Sequence, residues 1–338
     1  MLRGRMKVLT AIVATAGLML GGCATAPGAS GQTARTYEPI SVHGNIQTFE
    51  ISPVLLAAEK FYPGEATVKM GGIPNLIGAP PIQGFSSAGV ADVATHAETQ
   101  ALRYSVENPN LRIVLNVTRG LYRVVARKSA GINSLADLKG KKIATIPVTS
   151  SGYFLERMLR SAGLSFADIQ PQSITPLSRM PEALANREVD AVVIWEPYSA
   201  NAVEALNGDV IEFHGDDIYS EHFNLNSTAE NLADPAKRPK IVAFVAAIID
   251  AVEELKRDPA EAQRLLGQYG GFTPVEIARS WKEHDFAADY PSDLLDILVI
   301  EEQWLASRDN RRARTRDELA TLIDTSIYRE AQALRAAR

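Results

Sequence analysis

Short apolar runs alternate with helical patterns along the chain from Tyr37 onward. The apolar runs predict strands at Ile40–Val42, Ala66–Lys69, Ala91–Ala94, Arg112–Val117, Tyr122–Arg127, Lys142–Ile146, Gln172–Thr175, Ala191–Ile194 and Val210–Phe213. Helical patterns lie between them, for example at Pro53–Phe61, Tyr153–Ser161 and Pro181–Asn186. Alternation of strands with helices is typical of α/β layering, so an α/β fold is expected.

The C-terminal third changes to helix. Apolar residues from Ile241 to Leu255 follow helical spacing and predict one long helix. Further helices are expected after it, three in number. Two of them begin with capping boxes, Thr273 to Glu276 and Thr315 to Glu318, in which hydroxyl and carboxylate satisfy free amides of the first turn.

The first residues have the pattern of an export signal. A basic start containing Arg3, Arg5 and Lys7 leads into the apolar run Val8–Leu20. That run is about 13 residues long, short of the ~20 that span a bilayer as a helix, so it is interpreted as the apolar part of a signal peptide.

Cys23, the single cysteine of the chain, follows Leu20-Gly21-Gly22. Small residues before a cysteine at this point resemble a bacterial lipobox, which predicts a lipoprotein signal peptide over 1–22 and lipid attachment at Cys23. The alternative is a weak membrane anchor followed by an incidental cysteine. Residues 23–35, rich in Ala, Gly, Ser and Thr, are expected to form a flexible tether. The expected location is the periplasmic face of a bacterial membrane.

Composition excludes several classes of function. A net charge of −5 makes nucleic-acid binding a poor fit. With Cys23 acylated, no thiol remains for a disulfide, a metal site or a nucleophile. The five histidines show none of the spacings of zinc sites, so neither a metal nor a cofactor is expected. The length after signal removal exceeds what one core usually organises, so two lobes are expected.

The segment 132–164 is the most informative part of the mature chain. The strand Lys142–Ile146 leads into a loop of small hydroxyl residues, Thr149, Ser150 and Ser151, and then into a helix. Hydroxyls, free backbone N–H groups and a positive helix end would converge there on one point. This pattern predicts a seat for a sulfonate, carboxylate, nitrate or phosphate. Simple helix capping is the alternative role of these residues.

The same segment carries a family resemblance. Its pattern from Ile132, I-x-S-x-x-D-L-K-G-K-K-I, and the run Ala183–Pro197, A-L-A-N-R-E-V-D-A-V-V-I-W-E-P, resemble periplasmic binding proteins of ABC importers. Those importers serve sulfonates, taurine, nitrate and thiamine pyrimidine precursors. Glu188 stands where the family usually has glycine, and Gly44–Tyr62 lacks the usual run after the first strand.

The resemblance implies a two-lobed periplasmic-binding-protein fold of type II, with two crossovers acting as a hinge. The crossings are expected near Arg127–Ile132 and Phe223–Ser227. Lobe 1 would then combine 36–127 with 228–338, and lobe 2 would be 128–227. Two lobes that close on a ligand present a shape that an ABC permease can distinguish. The implied partners are a small molecule, a permease and the membrane, with the protein itself a monomer.

Trp195 and Glu196 follow the strand Ala191–Ile194 and are expected to face the cleft. Trp195 would cover the ligand, and Glu196 would accept from an ammonium or an amino-pyrimidine. An acid opposite an anion seat would suit a zwitterion such as taurine, or a pyrimidine with an exocyclic amine. A packed core indole and an exposed strand-end acid are the alternatives.

Other candidate contacts also follow predicted strands. Arg119 would fork onto an oxyanion or, equally, form a surface ion pair. Thr95 and His96 close the strand Ala91–Ala94, and Asn45 follows the first strand. All four are candidate ligand-binding residues.

The expected function is that of a lipid-anchored solute-binding protein that captures a small organic anion or zwitterion. One alternative is a tethered sensor with the same fold. Another is an enzyme resembling the thiamine-pyrimidine synthases, but these need a cysteine-rich loop, and this chain has no cysteine other than Cys23. No catalytic residues are nominated.

Overall fold

Two β-sheets organise the fold, as seen in a computed structural model that describes residues 37–80, 85–215 and 217–338. The strands are β1 (Ile40–Gly44), β2 (Ala66–Met70), β3 (Val93–Ala97), β4 (Leu111–Leu121), β5 (Arg123–Arg127), β6 (Lys142–Ala144), β7 (Gln170–Gln172), β8 (Ala191–Val193), β9 (Val210–His214), β10 (Ser220–Thr228) and β11 (His284–Asp289). The first sheet has the order β11-β4-β10-β3-β1-β2 and the second β7-β6-β8-β5-β9.

Helices flank both sheets. They are α1 (Ser52–Leu56), α2 (Ile73–Leu76), α3 (Glu98–Ser105), α4 (Ser150–Ser161), α5 (Arg179–Ala185), α6 (Tyr198–Ala205), α7 (Ala229–Ala233), α8 (Arg238–Arg257), α9 (Ala260–Gly270), α10 (Pro274–Ser280), α11 (Leu294–Arg308), α12 (Arg316–Ala320) and α13 (Ser326–Ala336). The expected α/β fold is confirmed.

The long helix predicted from the apolar spacing is α8. Its buried residues include Ile241, Phe244 and Ile248, which pack in one core with Val42 and Leu225 of the first sheet. Five helices follow it among the described residues, rather than the three expected. Both predicted capping boxes are present, at the N-termini of α10 and α12.

The second sheet has its own core with α4. Phe154, Leu155 and Met158 on the buried face of α4 pack against Ile143 of β6 and Val193 of β8. Glycine, proline and hydroxyl residues break the chain on either side of this compact unit, which explains why its elements could be predicted from the sequence.

The chain passes between the sheets at Tyr122, where β4 gives way to β5, and returns between His214 and Ser220. Both passages come several residues before the crossings expected from the sequence. β5 therefore belongs to the second sheet and β10 to the first. Only Tyr122 separates β4 from β5, so no loop in the sequence signals the change of sheet.

The predicted signal peptide, the tether and Cys23 lie outside the described residues. Within the described ranges, no helix combines the length and the apolar character needed to cross a membrane.

Candidate functional site

A cavity of about 320 Å³ lies between the two sheets. The first sheet and its connections supply Asn45, Thr48, Glu50, Gly71, Gly72, Pro74, Phe85, Ser86, His96, Ala97, Gln100, Tyr104, Glu221 and Phe223. The second sheet and its connections supply Ile146, Val148, Thr149, Ser150 and Trp195. A molecule held here would touch both halves of the fold.

The first-sheet wall follows from parallel pairing. β1 lies between β2 and β3 and runs parallel to both, so the segments after Gly44, Met70 and Ala97 meet at one edge of the sheet. The backbone at Gly72 passes close to the ring of His96, since a Cβ at Gly72 would lie 2.8 Å from His96 Cε1. Glycine there lets the connection after β2 approach the imidazole.

The second-sheet wall is built around the first turn of α4. Thr149 occupies the N-cap position, but its side chain makes no capping hydrogen bond. Its hydroxyl instead donates to the Ile146 carbonyl at 2.9 Å. The Ser150 hydroxyl lies 3.0 Å from the Tyr122 hydroxyl, next to the cavity. Two of the three predicted hydroxyl residues, Thr149 and Ser150, therefore line the cavity together.

Ser151 is fully buried beneath this turn. Its Oγ lies 3.3 Å from Thr145 Oγ1 and 3.0 Å from Thr149 Oγ1. It is absent from the cavity lining and holds the loop in place from behind.

Two carboxylates that the sequence reasoning missed, Glu50 and Glu221, line the cavity. Glu50 is 2% and Glu221 5% exposed. The Tyr122 hydroxyl donates to Glu221 Oε2 at 2.9 Å. Burial, reinforced by the charge of Glu50, raises the pKa of Glu221 well above its usual range. The shift favours the protonated form of Glu221.

His284 stands behind Glu50, with Nε2 3.7 Å from Glu50 Oε2. Burial lowers the pKa of His284, but the adjacent Glu50 carboxylate outweighs it and leaves the pKa above its usual value. The contact thus favours the imidazolium form of His284.

His96 is the neutral histidine of the cavity. Burial, with a smaller contribution from Arg103, lowers its pKa to about 4. Its Nδ1 accepts a hydrogen bond from the Ile73 N–H at 3.3 Å, which places the ring proton on Nε2. The ring stacks on Tyr104 with 6.0 Å between centroids.

Trp195 lines the cavity as predicted, and its indole Nε1 is buried without a hydrogen-bond partner in the described part of the chain. Glu196 is placed elsewhere. Its Oε1 lies 2.6 Å from Arg123 Nη1, and its Oε2 accepts from Ser280 Oγ at 2.8 Å. β8 ends at Val193, so both residues lie in the connection to α6, where Trp195 borders the cavity and Glu196 turns toward Arg123 and Ser280. This corrects the expectation for Glu196.

Alternation of side chains along β3 separates Thr95 from His96. Thr95 is fully buried and absent from the lining, whereas His96 lines the cavity. Arg119 is also away from the cavity, because β4 continues to Leu121 and Arg119 is not at its end. Its guanidinium pairs with Asp285 at 2.9 Å and Asp289 at 2.8 Å, which is the surface ion pair given as the alternative. Asn45 lines the cavity.

Glu50 and Glu221 were missed for physical reasons. Glu50 lies in the segment Gly44–Tyr62, which departs from the family pattern. Glu221 lies on β10, whose polar sequence hides a strand buried between β3 and β4. An acid between two apolar residues, Phe49 and Ile51, was the available signal for Glu50.

The cavity continues toward a second chamber that shares Asn45 and Phe85 and adds Gln47, Thr175, Ser178 and Tyr198, among others. In the described ranges, no group of His, Cys, Asp or Glu side chains is arranged to hold a metal ion.

Comparison with known sequences places the chain near binding proteins. The family model described as NMT1/THI5 like matches residues 49–262. An Escherichia coli (strain K12) protein that bears the name of an aliphatic sulfonates-binding protein is 32% identical over 168 residues, which is 48% of this chain and 49% of that protein. A Haemophilus influenzae protein named for thiamine biosynthesis is 28% identical over 225 residues, 62% of this chain and 68% of its own length. The chain thus spans about half the length of the first of these relatives.

Among solved structures, the periplasmic aliphatic sulphonate binding protein SsuA from Escherichia coli matches with a TM-score of 0.68 at 19% identity. The match covers 85% of this chain and 92% of that one. It confirms the periplasmic-binding-protein fold expected from the resemblance.

Proposed function

Because the chain belongs to the NMT1/THI5-like family, we propose that it is a lipid-anchored solute-binding protein that delivers a small organic anion or zwitterion to an ABC permease. The observation that carries the proposal is the cavity between the two sheets, to which both contribute. The sulfonate-binding relative is a binding protein by name, which supports binding rather than catalysis.

Capture would proceed by closure of two lobes about the connections at Tyr122 and between His214 and Ser220. Contacts that span the two sheets support this reading. Gln100 Nε2 on α3 donates to the Val148 carbonyl at 3.0 Å, and Asn201 Nδ2 on α6 donates to Glu276 Oε1 on α10 at 3.3 Å. Such contacts would form and break as the lobes close and open.

The ligand would be held at two ends. Ser150 and the first turn of α4 would take its acceptor oxygens, where a positive helix end favours negative charge. Thr149, whose hydroxyl donates to the Ile146 carbonyl, would hold the shape of the loop. Trp195 would cover it. The acids of the site would be Glu50 and Glu221, in place of the Glu196 expected from the sequence, and Glu221 Oε1 lies 3.5 Å from Ser150 Oγ.

Anchoring rests on the sequence. Replacement of Cys23 by serine is expected to abolish lipid attachment and processing, because the thiol is the acyl acceptor. Labelling with radioactive palmitate measures this. Equal incorporation into the native and Cys23→Ser proteins would contradict the lipobox interpretation.

The gene neighbourhood and measurements of solute uptake distinguish a protein that serves import from a tethered sensor. An adjacent ATPase and permease would support delivery, and an adjacent sensor kinase would support a tethered sensor. Deletion of the gene is expected to abolish uptake of the bound solute at low external concentration. Unchanged uptake with a lost transcriptional response would favour the sensor.

Replacement of Ser150 by alanine is expected to weaken solute binding about 3–10-fold, since a neutral hydrogen bond is worth ~0.5–1.5 kcal/mol net. Calorimetric titration with the solute that native mass spectrometry identifies measures the change in affinity. Ser161→Ala, at the far end of α4, is the matched control and should leave the affinity unchanged. Equal effects at both positions would argue against the hydroxyl seat.

A further inference from the structure

The charge of the cavity is unusual for a site that would hold an anion. No lysine or arginine is among its lining residues, as far as the described ranges extend, whereas two buried glutamates are. A bare sulfonate or nitrate would meet two glutamates in the lining, while the basic partner of Glu50, His284, stands behind it and outside the lining. The lining therefore favours a ligand with a cationic group over a bare anion.

One carboxylate oxygen of Glu50 accepts no hydrogen bond in the described structure. Its Oε2 is buried with no hydrogen-bond partner in the described structure, although His284 Nε2 lies 3.7 Å away. A buried carboxylate oxygen without a donor is costly, and a donor on the ligand would relieve that cost. The Glu50 oxygen without a donor therefore indicates a donor group on the ligand, separately from the presence of two acids in the lining.

Aromatic side chains line the remaining walls. Tyr104, Trp195 and Phe223 border the cavity, together with the neutral imidazole of His96. Aromatic faces attract cations, and a cavity of about 320 Å³ accommodates a small ring.

We propose that Glu50 and Glu221 bind a cationic nitrogen of the ligand, so that the solute is a nitrogen base or a zwitterion and not a bare anion. The inference rests on the proposed solute-binding function and narrows its ligand class. Glu221 would act as the switchable partner: its carboxylic acid proton leaves to solvent as the ammonium or amidinium group arrives. The product is a carboxylate paired with a cation.

The surroundings of Glu221 favour its protonated form. Glu50 and Glu98 both oppose its ionisation, and burial does so most strongly. Glu98 is itself buried with Glu301 and Tyr219, and Tyr122 donates to Glu221. His284 is the one basic side chain paired with Glu50 among the described residues. A ligand cation would supply the missing positive charge.

The proton balance sets the pH dependence. A Glu221 side chain that is protonated in the free protein and ionised in the complex would make the observed affinity for a permanently cationic ligand rise with pH. The rise approaches tenfold per pH unit while the acid of the free protein remains protonated.

Three ring-matched probes test the charge preference: benzylamine, benzyl alcohol and benzenesulfonate, titrated into the full exported protein by NMR and calorimetry. Benzylamine is expected to bind at least about tenfold more tightly than benzyl alcohol, and benzenesulfonate more weakly still. Titration in two buffers of different ionisation enthalpy should show net release of a proton with benzylamine.

Glu221→Gln should weaken benzylamine binding about 10–100-fold and abolish the proton release, while leaving benzyl alcohol nearly unaffected. Glu196→Gln is the matched control, because Glu196 is as deeply buried but lies outside the lining. It should leave both affinities unchanged. If Glu221→Gln does not fold, Glu50→Gln takes its place with the same expected loss.

Tighter binding of benzenesulfonate, unchanged benzylamine binding in the variant, or failure of benzylamine to bind would each overturn the inference. A different result would count against the proposed solute-binding function. A nitrogen-free anion found in the native complex would overturn the cation site and leave solute binding standing, whereas the absence of any bound molecule would count against solute binding itself.

Discussion

Replacement of Arg123 by alanine is expected to lower the free energy of unfolding by about 3–5 kcal/mol, because it leaves buried carboxylates without their cation. Arg123 Nη1 lies 2.6 Å from Glu196 Oε1 and 3.4 Å from Glu283 Oε1, and its Nε lies 2.7 Å from Glu212 Oε2. The Arg123 and Glu196 side chains are 5% and 2% exposed. Equilibrium urea unfolding measures the loss.

Arg119→Ala is the matched control. Arg119 also bridges two acids, but its partners Asp285 and Asp289 are 55% and 40% exposed. An exposed ion pair contributes roughly 0–1 kcal/mol, so this variant should unfold close to the native midpoint. Similar losses in both variants would show that burial does not set the cost at Arg123.

Addition of the solute that native mass spectrometry identifies, at a hundred times its Kd, is expected to stabilise the folded protein by about 2.7 kcal/mol. The radius of gyration should fall at the same time, because the solute binds between two halves of the fold and favours their closed arrangement. Thermal unfolding and small-angle scattering, recorded on the same samples, measure the two effects.

Trp195→Ala is the control for closure. Loss of the indole removes a wall of the cavity, so the same solute concentration should stabilise this variant less. Tight binding with an unchanged scattering curve would argue against a clamp that closes about the connections at Tyr122 and before Ser220.

The second sheet was predictable because its signals are local. The strand β6, the hydroxyl loop and α4 are marked by small residues and by the apolar face of Phe154, Leu155 and Met158. Local patterning of this kind also identified α8 and the capping boxes of α10 and α12. Of the predicted residues that line the cavity, Asn45, Thr149, Ser150 and Trp195 follow strands that the apolar runs predicted. His96 lies within the strand β3.

The acids of the cavity could not be predicted because their surroundings are assembled from distant segments. Glu221 faces Tyr122 and Ser150, which lie 99 and 71 residues away along the chain. β10 is polar in sequence yet buried, because its neighbours in the sheet cover it. Glu196 was misplaced because it lies beyond the end of β8, and its partners Arg123 and Ser280 come from distant parts of the chain.

Native mass spectrometry of the full protein, purified without denaturation, tests solute binding most directly. The account predicts a complex with a single small organic molecule, lost on unfolding and regained on addition of the same compound. The molecule should carry a basic nitrogen. A spectrum that shows protein without any bound molecule, even after incubation with an extract of small metabolites, would contradict the proposed function.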